Sequence, residues 1–372
     1  MRIPYRTRRM LQRAGIIFAI LALLFIIAWF CSVVFLQRYV VYTREGAMLD
    51  MSVSANDIIG EVARPPVGST DISIFYNEGD DAINMSNEML QMDGYFLDID
   101  ALKLDIAGAW DLMEPLGANT AIMIDLKGGF GSAYYSSTLP GILTSSEISV
   151  ASVDELIGYM NEKNFYTIAR ISAFRDYNYG LNHVPAGLMH VNGKGLWPDE
   201  GHCYWLDPTK EDTINWIVSI IKEIKNMGFD EVVLTDYCFP NTDKIRFNGD
   251  KDAALIDAAN KIIAEVGDDD FVVSFQTSNY EFALPEGRTR VYFENVSATN
   301  IGMVSSKAAE GIVEPERRLV FIAETNDTRF NAYSVLRPLS ASTAMEAQKA
   351  AAAAAAKAAE AEEAKSSGGR YG

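Results

Sequence analysis

The stretch that decides the fold is Gly228 to Pro240, GFDEVVLTDYCFP. Gly228 stops the helical pattern before it, Val232-Val233-Leu234 form a short continuous apolar run, and Asp236-Tyr237 follow at once. A run of this length with β-branched residues predicts a strand buried on both faces, as in a parallel sheet. Asp236 then stands at the C-terminal end of the strand, where α/β barrels place their chemistry. A strand-end aspartate also caps the following loop or helix in many proteins, so the position alone leaves both readings open.

The same alternation recurs on either side. Upstream, Tyr95–Leu97, Thr120–Leu126 and Tyr166–Ile171 predict strands, while Ala101–Leu116 and Val153–Lys163 predict helices, the second with Ser152 as N-cap. Glu211–Met227 is the clearest helix, with Ile214, Ile217, Val218, Ile221, Ile224 and Met227 on one face. Downstream, Ala253–Val266 predicts a helix, and Phe271–Phe275, Arg290–Phe293 and Leu319–Ala323 predict strands. A long loop rich in aromatics, Gly and Pro runs from Ser172 to about Thr209. Seven strands joined by helices or long crossovers predict an α/β fold, a (β/α)8 TIM-type barrel over residues 94–340. An open doubly wound sheet is the alternative, weakened because no strand is followed by G-x-G-x-x-G.

The chain has 372 residues, is 49% hydrophobic and carries a formal net charge of −18. Such a composition supports a sizeable core. The acidity excludes non-specific nucleic-acid binding, which needs a basic footprint. Residues 15–36 contain no charge and are long enough to span a bilayer as a helix. Arg2, Arg6, Arg8, Arg9 and Arg13 precede the run, which orients residues 1–14 to the cytoplasm as a basic segment. The run ends in bulky residues with no A-x-A-like site, so it reads as an uncleaved anchor, not a signal peptide. These features predict a single-pass protein of the cell membrane with its C-terminal domain extracytoplasmic. Residues 37–93 read as a polar connector, with a weak strand signal at Ile72–Tyr76. Residues 341–372 read as an Ala-rich tail, helical or fraying from Ala344 to Lys365.

Cys31 lies in the apolar run, which leaves Cys203 and Cys238 able to form one bridge. His183, His190 and His202 all fall in the long loop at spacings that match no metal motif. Neither a metal nor a cofactor is expected.

Charged residues gather at the predicted strand ends: Asp125, Lys127, Arg170, Asp176, Asp236, Glu294 and Glu324. Glycosidic cleavage needs two carboxyl groups flanking the bond. Asp236 is assigned as nucleophile or base, with Glu294 the preferred acid and Glu324 the second choice. Asp125, Lys127, Arg170 and Asp176 are candidate substrate-binding residues, together with Trp197, Trp205 and Tyr237, whose flat faces suit stacking on sugar rings. The competing reading is a polar barrel mouth in which Lys127, Arg170 and Asp125 pair with one another and Trp205 packs in the core.

The segments ANTAIMIDLKGGFG (Ala118–Gly131), YTIARISAFRD (Tyr166–Asp176), CYWLDPTKED (Cys203–Asp212) and GFDEVVLTDYCFP resemble, in order and spacing, a bacterial glycoside-hydrolase-like family with a TIM-barrel domain, distantly α-amylase-like. The match runs from about Gly94 to Pro240. The resemblance implies a barrel acting on carbohydrate, and carries Asp125, Lys127, Arg170, Asp176, Asp207, Glu231, Asp236 and Tyr237 onto the family's motif residues. Two departures fall at the presumed active face. Cys238 alone separates Tyr237 from Phe239 where the family tends to have an arginine, and Ser274-Phe275-Gln276-Thr277 stands where it favours an aspartate.

The reading is therefore a membrane-anchored, extracytoplasmic glycoside-hydrolase-like protein acting on cell-envelope or extracellular polysaccharide. Its partners would be a polysaccharide or oligosaccharide and, through the N-terminal helix, the membrane. The alternative is a non-catalytic glycan-binding or scaffolding barrel of the cell envelope. The topology has a direct check. Protease added to cells whose outer layers are permeabilised should cleave the barrel and spare a cytoplasmic control; equal protection of both would refute the orientation.

Overall fold

The computed structural model describes residues 40–43, 46–49, 89–285, 287–325, 327–345 and 349. The predicted anchor at 15–36, the strand signal at Ile72–Tyr76 and most of the Ala-rich tail lie outside the described residues. Among those described, no helix is long and apolar enough to cross a membrane. The chain divides into two units, residues 1–81 and 82–372. In the first, β1 (Val40–Thr43) and β2 (Gly46–Leu49) pair as an antiparallel hairpin, inside the segment read as an irregular connector.

The second unit is built on eight parallel strands: β3 (Asp93–Leu97), β4 (Ala121–Lys127), β7 (Tyr166–Ser172), β8 (Glu231–Thr235), β9 (Val272–Gln276), β10 (Val291–Glu294), β11 (Leu319–Ile322) and β12 (Ser334–Pro338). Each pairs with its sequence neighbour, and β12 pairs with β3, so the sheet closes into a barrel. Two short strands, β5 (Ser132–Ala133) and β6 (Leu143–Thr144), extend the sheet from the end of β4. The helices are α1 (Ile99–Met113), α2 (Val150–Glu162), α3 (Tyr177–Asn182), α4 (Glu211–Asn226), α5 (Lys251–Val266), α6 (Ile301–Ala308) and α7 (Pro315–Arg318).

The eighth strand, β12, has no counterpart among the predicted elements. Its sequence SVLRP is short, and Arg337 and Pro338 break the apolar pattern; pairing with β11 and β3 makes it a strand. Helix α2 begins at Val150, ahead of the predicted Val153, because Ser149 and not Ser152 is the N-cap. The long loop contains α3, capped by Asp176, and is knitted by bridges such as Arg175 to Trp205 and Pro198 to Tyr204. Gly228 ends α4 with φ +92°, a conformation that disfavours a side chain.

Strand alternation sorts the side chains into two populations. Ile122, Ile124, Ala169, Ile171, Val232, Leu234, Val273 and Phe275 point outward into the layer under the helices. Met123, Ile168, Val233, Tyr292, Val320, Ile322 and Leu336 fill the barrel interior. Full burial of a Val, Leu or Ile contributes roughly 1.5–3 kcal/mol, so both layers are substantial.

Below the apolar interior lies a buried polar floor. Glu231, the first residue of β8, has no exposed side-chain surface and pairs with Arg290. It also accepts from Tyr292 Oη at 2.8 Å, Ser274 Oγ at 2.5 Å and Tyr166 Oη at 2.8 Å. Arg290 donates further to the carbonyls of Leu90 and Arg317, both at 3.1 Å. Burial works against the Arg290 charge, but Glu231 outweighs it and holds the guanidinium above its ordinary pKa. Burial first, then the Glu231 charge, pushes the Tyr166 phenol well up, so it stays a neutral donor.

Removing one member of a fully buried pair leaves the other uncompensated, at a cost of about 3–5 kcal/mol. Glu231→Ala should therefore lower the urea midpoint of the purified protein by that equivalent. A loss below about 1 kcal/mol would show that the floor does not hold the barrel together.

Candidate active site

The alternation that fills the interior also builds the mouth. Two residues beyond Met123, Ile168, Ser274 and Tyr292 stand Asp125, Arg170, Gln276 and Glu294, and all four line a cleft of about 290 Å³ at the C-terminal ends of the strands. Lys127, Ser172, Thr235, Asp236 and Tyr134 complete its polar lining. The register shifts between Asp125 and Lys127, a bulge at Leu126 that re-aims the lysine.

Arg170 organises the carboxylates. Its Nε lies 2.5 Å from Asp125 Oδ1 and one terminal nitrogen 3.1 Å from Oδ2, while the other terminal nitrogen reaches Glu294 Oε1 at 3.5 Å. Burial disfavours the Arg170 charge, but the hydrogen bonds and charge of Asp125, with Glu294 behind, hold it above its ordinary pKa. The Ile99 backbone N–H donates to Asp125 Oδ2 at 2.9 Å, which ties the start of α1 to the mouth. Gln276 Nε2 donates to Glu294 Oε2 at 2.7 Å. The Ser172 hydroxyl lies 2.6 Å from Asp236 Oδ2 and 2.7 Å from the Arg175 carbonyl, so its single proton is shared between two acceptors. Asp236 has φ +51°, in the left-handed region that aspartate tolerates better than most residues.

The remaining candidates lie elsewhere. Asp176 is fully buried, 2.9 Å from Lys127 Nζ, and accepts from Trp216 Nε1 at 3.1 Å and the Tyr179 N–H at 2.8 Å. Lys127 also donates to the Ser172 carbonyl at 2.9 Å. The pair braces the rim of the site from the long loop after β7, and Asp176 offers no surface to a substrate. Tyr237 is in the core, its hydroxyl donating to the Leu255 carbonyl at 2.7 Å, because the left-handed turn at Asp236 sends the next side chain inward. Trp205 is buried, as the packing reading expects, and donates to Asp199 at 3.0 Å. Trp197 is half-buried against the core. Glu324 is exposed beyond β11 and does not line the cleft. Cys203 and Cys238 are free thiols, one buried and one exposed. Glu231, a motif residue by resemblance, is at the opposite end of the barrel.

Ser172 is a cleft residue that the sequence reading did not select, whereas Tyr134 belongs to the aromatics it places near the strand ends. Ser172 was accessible to it, since two residues beyond Arg170 on the same strand share a face. Tyr134 reaches the cleft because β5, which precedes it, folds back onto β4. Glu223 on α4 secures this region by accepting from Tyr135 Oη at 2.8 Å and from the Thr138 N–H at 2.6 Å.

With this geometry in place, comparisons with known proteins can be read. Residues 109–269 match a family profile described as a "Putative glycosyl hydrolase domain". The resemblance drawn from the sequence is borne out over that span. No curated protein matches the chain. Among solved structures, a hypothetical protein from Ruminiclostridium thermocellum aligns at 24% identity and TM-score 0.43, covering 49% of this chain and 96% of that one. An alpha-galactosidase from Lactobacillus brevis aligns at 10% identity and TM-score 0.47, over 71% of this chain and 40% of that one. An alpha-galactosidase from Geobacillus stearothermophilus in complex with stachyose aligns at 10% identity and TM-score 0.46, over 69% and 41%. The chain thus spans about two fifths of the length of these alpha-galactosidases.

The buried Lys127–Asp176 pair gives a test of how the mouth is supported. Lys127→Met strands a buried carboxylate and should destabilise the protein by about 3–5 kcal/mol. Adding Asp176→Asn should recover part of that loss, which a double-mutant cycle of urea midpoints would measure as a coupling. Strict additivity would mean that the two side chains act independently.

Proposed function

We propose that the barrel hydrolyses glycosidic bonds at this cleft, with Asp236 as nucleophile or base and Glu294 as general acid. The observation that carries the reading is the placement of the two carboxyl groups, Asp236 immediately after β8 and Glu294 at the end of β10, in one open cleft with a single strand between them. Strands two apart stand roughly 9–10 Å from each other at the backbone, a gap that side chains narrow and a sugar ring occupies. The cleft volume of about 290 Å³ sits at the lower end of ligand pockets, which run from roughly 300 Å³, and suits one sugar unit. The match to a glycosyl hydrolase domain over residues 109–269 supports the same chemistry.

The roles follow from the neighbours. Arg170 is closer to Asp125 than to Glu294, so Asp125 takes most of its charge and acts as a fixed anchor. Glu294 keeps 36% of its side-chain surface exposed and is open to a substrate entering the cleft. Asp236 is oriented by Ser172, and its left-handed backbone is the kind of local strain that collects at functional positions. The substrate would be a cell-envelope or extracellular glycan, with residues 15–36 anchoring the protein and the barrel outside; the apolar run and its arginine flank support this placement.

A second reading has its own observation. Cys238 alone stands where the resembled family tends to carry an arginine, and Ser274-Phe275-Gln276-Thr277 where it favours an aspartate, which favours a barrel that binds glycan without cleaving it. Reducing-end release from α- and β-linked glucans, galactans and N-acetylglucosamine polymers separates the two. Wild type should release reducing ends, and Asp236→Asn and Glu294→Gln should each lower the rate by about 10²–10⁴-fold without shifting the thermal midpoint. Undiminished cleavage by Asp236→Asn refutes the assignment. Tight binding with no cleavage by wild type establishes the scaffold instead.

A further inference from the structure

We propose that the turn after β4 carries a second sugar platform, the exposed ring of Phe130, so that the cleft takes an oligosaccharide or polysaccharide chain and not an isolated sugar. The inference rests on the glycan reading of the cleft and extends it to the length of the substrate.

Phe130 is 60% exposed, and among the described residues of the second unit it is the single Phe, Tyr or Trp on the open surface. It sits in Gly128-Gly129-Phe130-Gly131, a turn with one side chain to present. The turn is rigid. Gly131 has φ +79°, and a Cβ there would collide with Asp176, itself immobilised by Lys127 and Trp216. A Cβ at Gly129 would lie 2.6 Å from Arg175 Nη1 and 3.2 Å from its Cδ. The backbone is pinned from the long loop: the Tyr177 N–H donates to the Gly129 carbonyl at 3.1 Å and the Asn178 N–H to the Phe130 carbonyl at 3.3 Å.

The platform adjoins the cleft along the chain, since Gly128 and Gly129 line the cleft and Phe130 is the next residue. Behind Phe130, Tyr177 lies 6.4 Å away and stacks on Tyr204 at 5.4 Å with an 8° interplanar angle. The two tyrosines are half-buried and stacked on one another, whereas Phe130 is exposed. A rigid flat ring at the edge of a one-sugar cleft offers apolar area at low entropic cost, the physical requirement for stacking on the next sugar of a chain. Asp125 and Arg170 in the cleft hold the first unit by hydrogen bonds; Phe130 holds the second by its face.

The full chain would be titrated calorimetrically with oligomers of graded length, from monosaccharide upward, of α-1,4-glucose, β-1,4-glucose, α-1,6-galactose and β-1,4-N-acetylglucosamine. In at least one series, affinity should rise by about tenfold between one unit and two or three, the scale of one aromatic stacking contact. Phe130→Ala should abolish that rise and Phe130→Trp should keep it. Because the readout is binding, Asp236→Asn protein serves equally well, and loss of catalysis does not touch the result. A length-dependent gain that survives in Phe130→Ala overturns the platform, as does the absence of any gain across all four series. If Phe130→Ala changes self-association and no glycan affinity, the ring is a protein contact and the proposal is wrong.

Discussion

A carboxylate without access to water at the end of a barrel must find donors on every side, and Glu231 does so across the strands of half the sheet. Its partners come from β7, β9 and β10 and from the residue just before β10, and Arg290 reaches on to backbone at Leu90 and Arg317. Hydrogen bonds of this kind are directional, so they specify which residues stand opposite one another where apolar contacts alone would tolerate a slip. The floor therefore sets the register from which the interior is counted upward. Glu231, a motif residue by resemblance, is thus one that holds the barrel in shape, at the far end from the cleft.

Counting upward in steps of two leads to the cleft. The polar floor gives way to an apolar middle, and the middle to Asp125, Arg170, Gln276 and Glu294 at the mouth. No loop has to be arranged for these four; the pleat delivers them. Loops enter through the Lys127–Asp176 pair, whose two charges are both withdrawn from water. This pair fastens the end of β4 to the segment that carries α3, and Asp176 simultaneously caps α3, accepts from Trp216 and blocks any side chain at Gly131. Buried pairs of this kind contribute little net stability, yet they make one arrangement of the loops much better than its neighbours.

The same economy explains why the mouth divides into two types of residue. Asp125 is held bidentately by Arg170 and by the Ile99 N–H, so it is a fixed feature of the cleft. Asp236 and Glu294 are each held more loosely, through Ser172 and through Gln276 with Arg170. Under the proposed reaction Asp236 and Glu294 would exchange protons and need that freedom, whereas Asp125 would position a ligand and does not.

The sequence by itself determined the alternation of strands and helices, the barrel class, and the strand ends at which Asp125, Arg170, Asp236 and Glu294 stand, because hydrophobic period and strand polarity are local properties. It also carried the resemblance that the family comparison bears out over residues 109–269. Only the tertiary structure decided that SVLRP is the closing strand, because its neighbours β11 and β3 supply the pairing that its own residues do not advertise. Only the fold separated Asp176, Tyr237 and Glu231 from the cleft, since a charged or aromatic residue near a strand end can point to solvent, to core or to a buried partner with the same sequence signature. Burial and partner identity depend on which segments meet across the barrel, and that is a property of three-dimensional closure that no local pattern encodes.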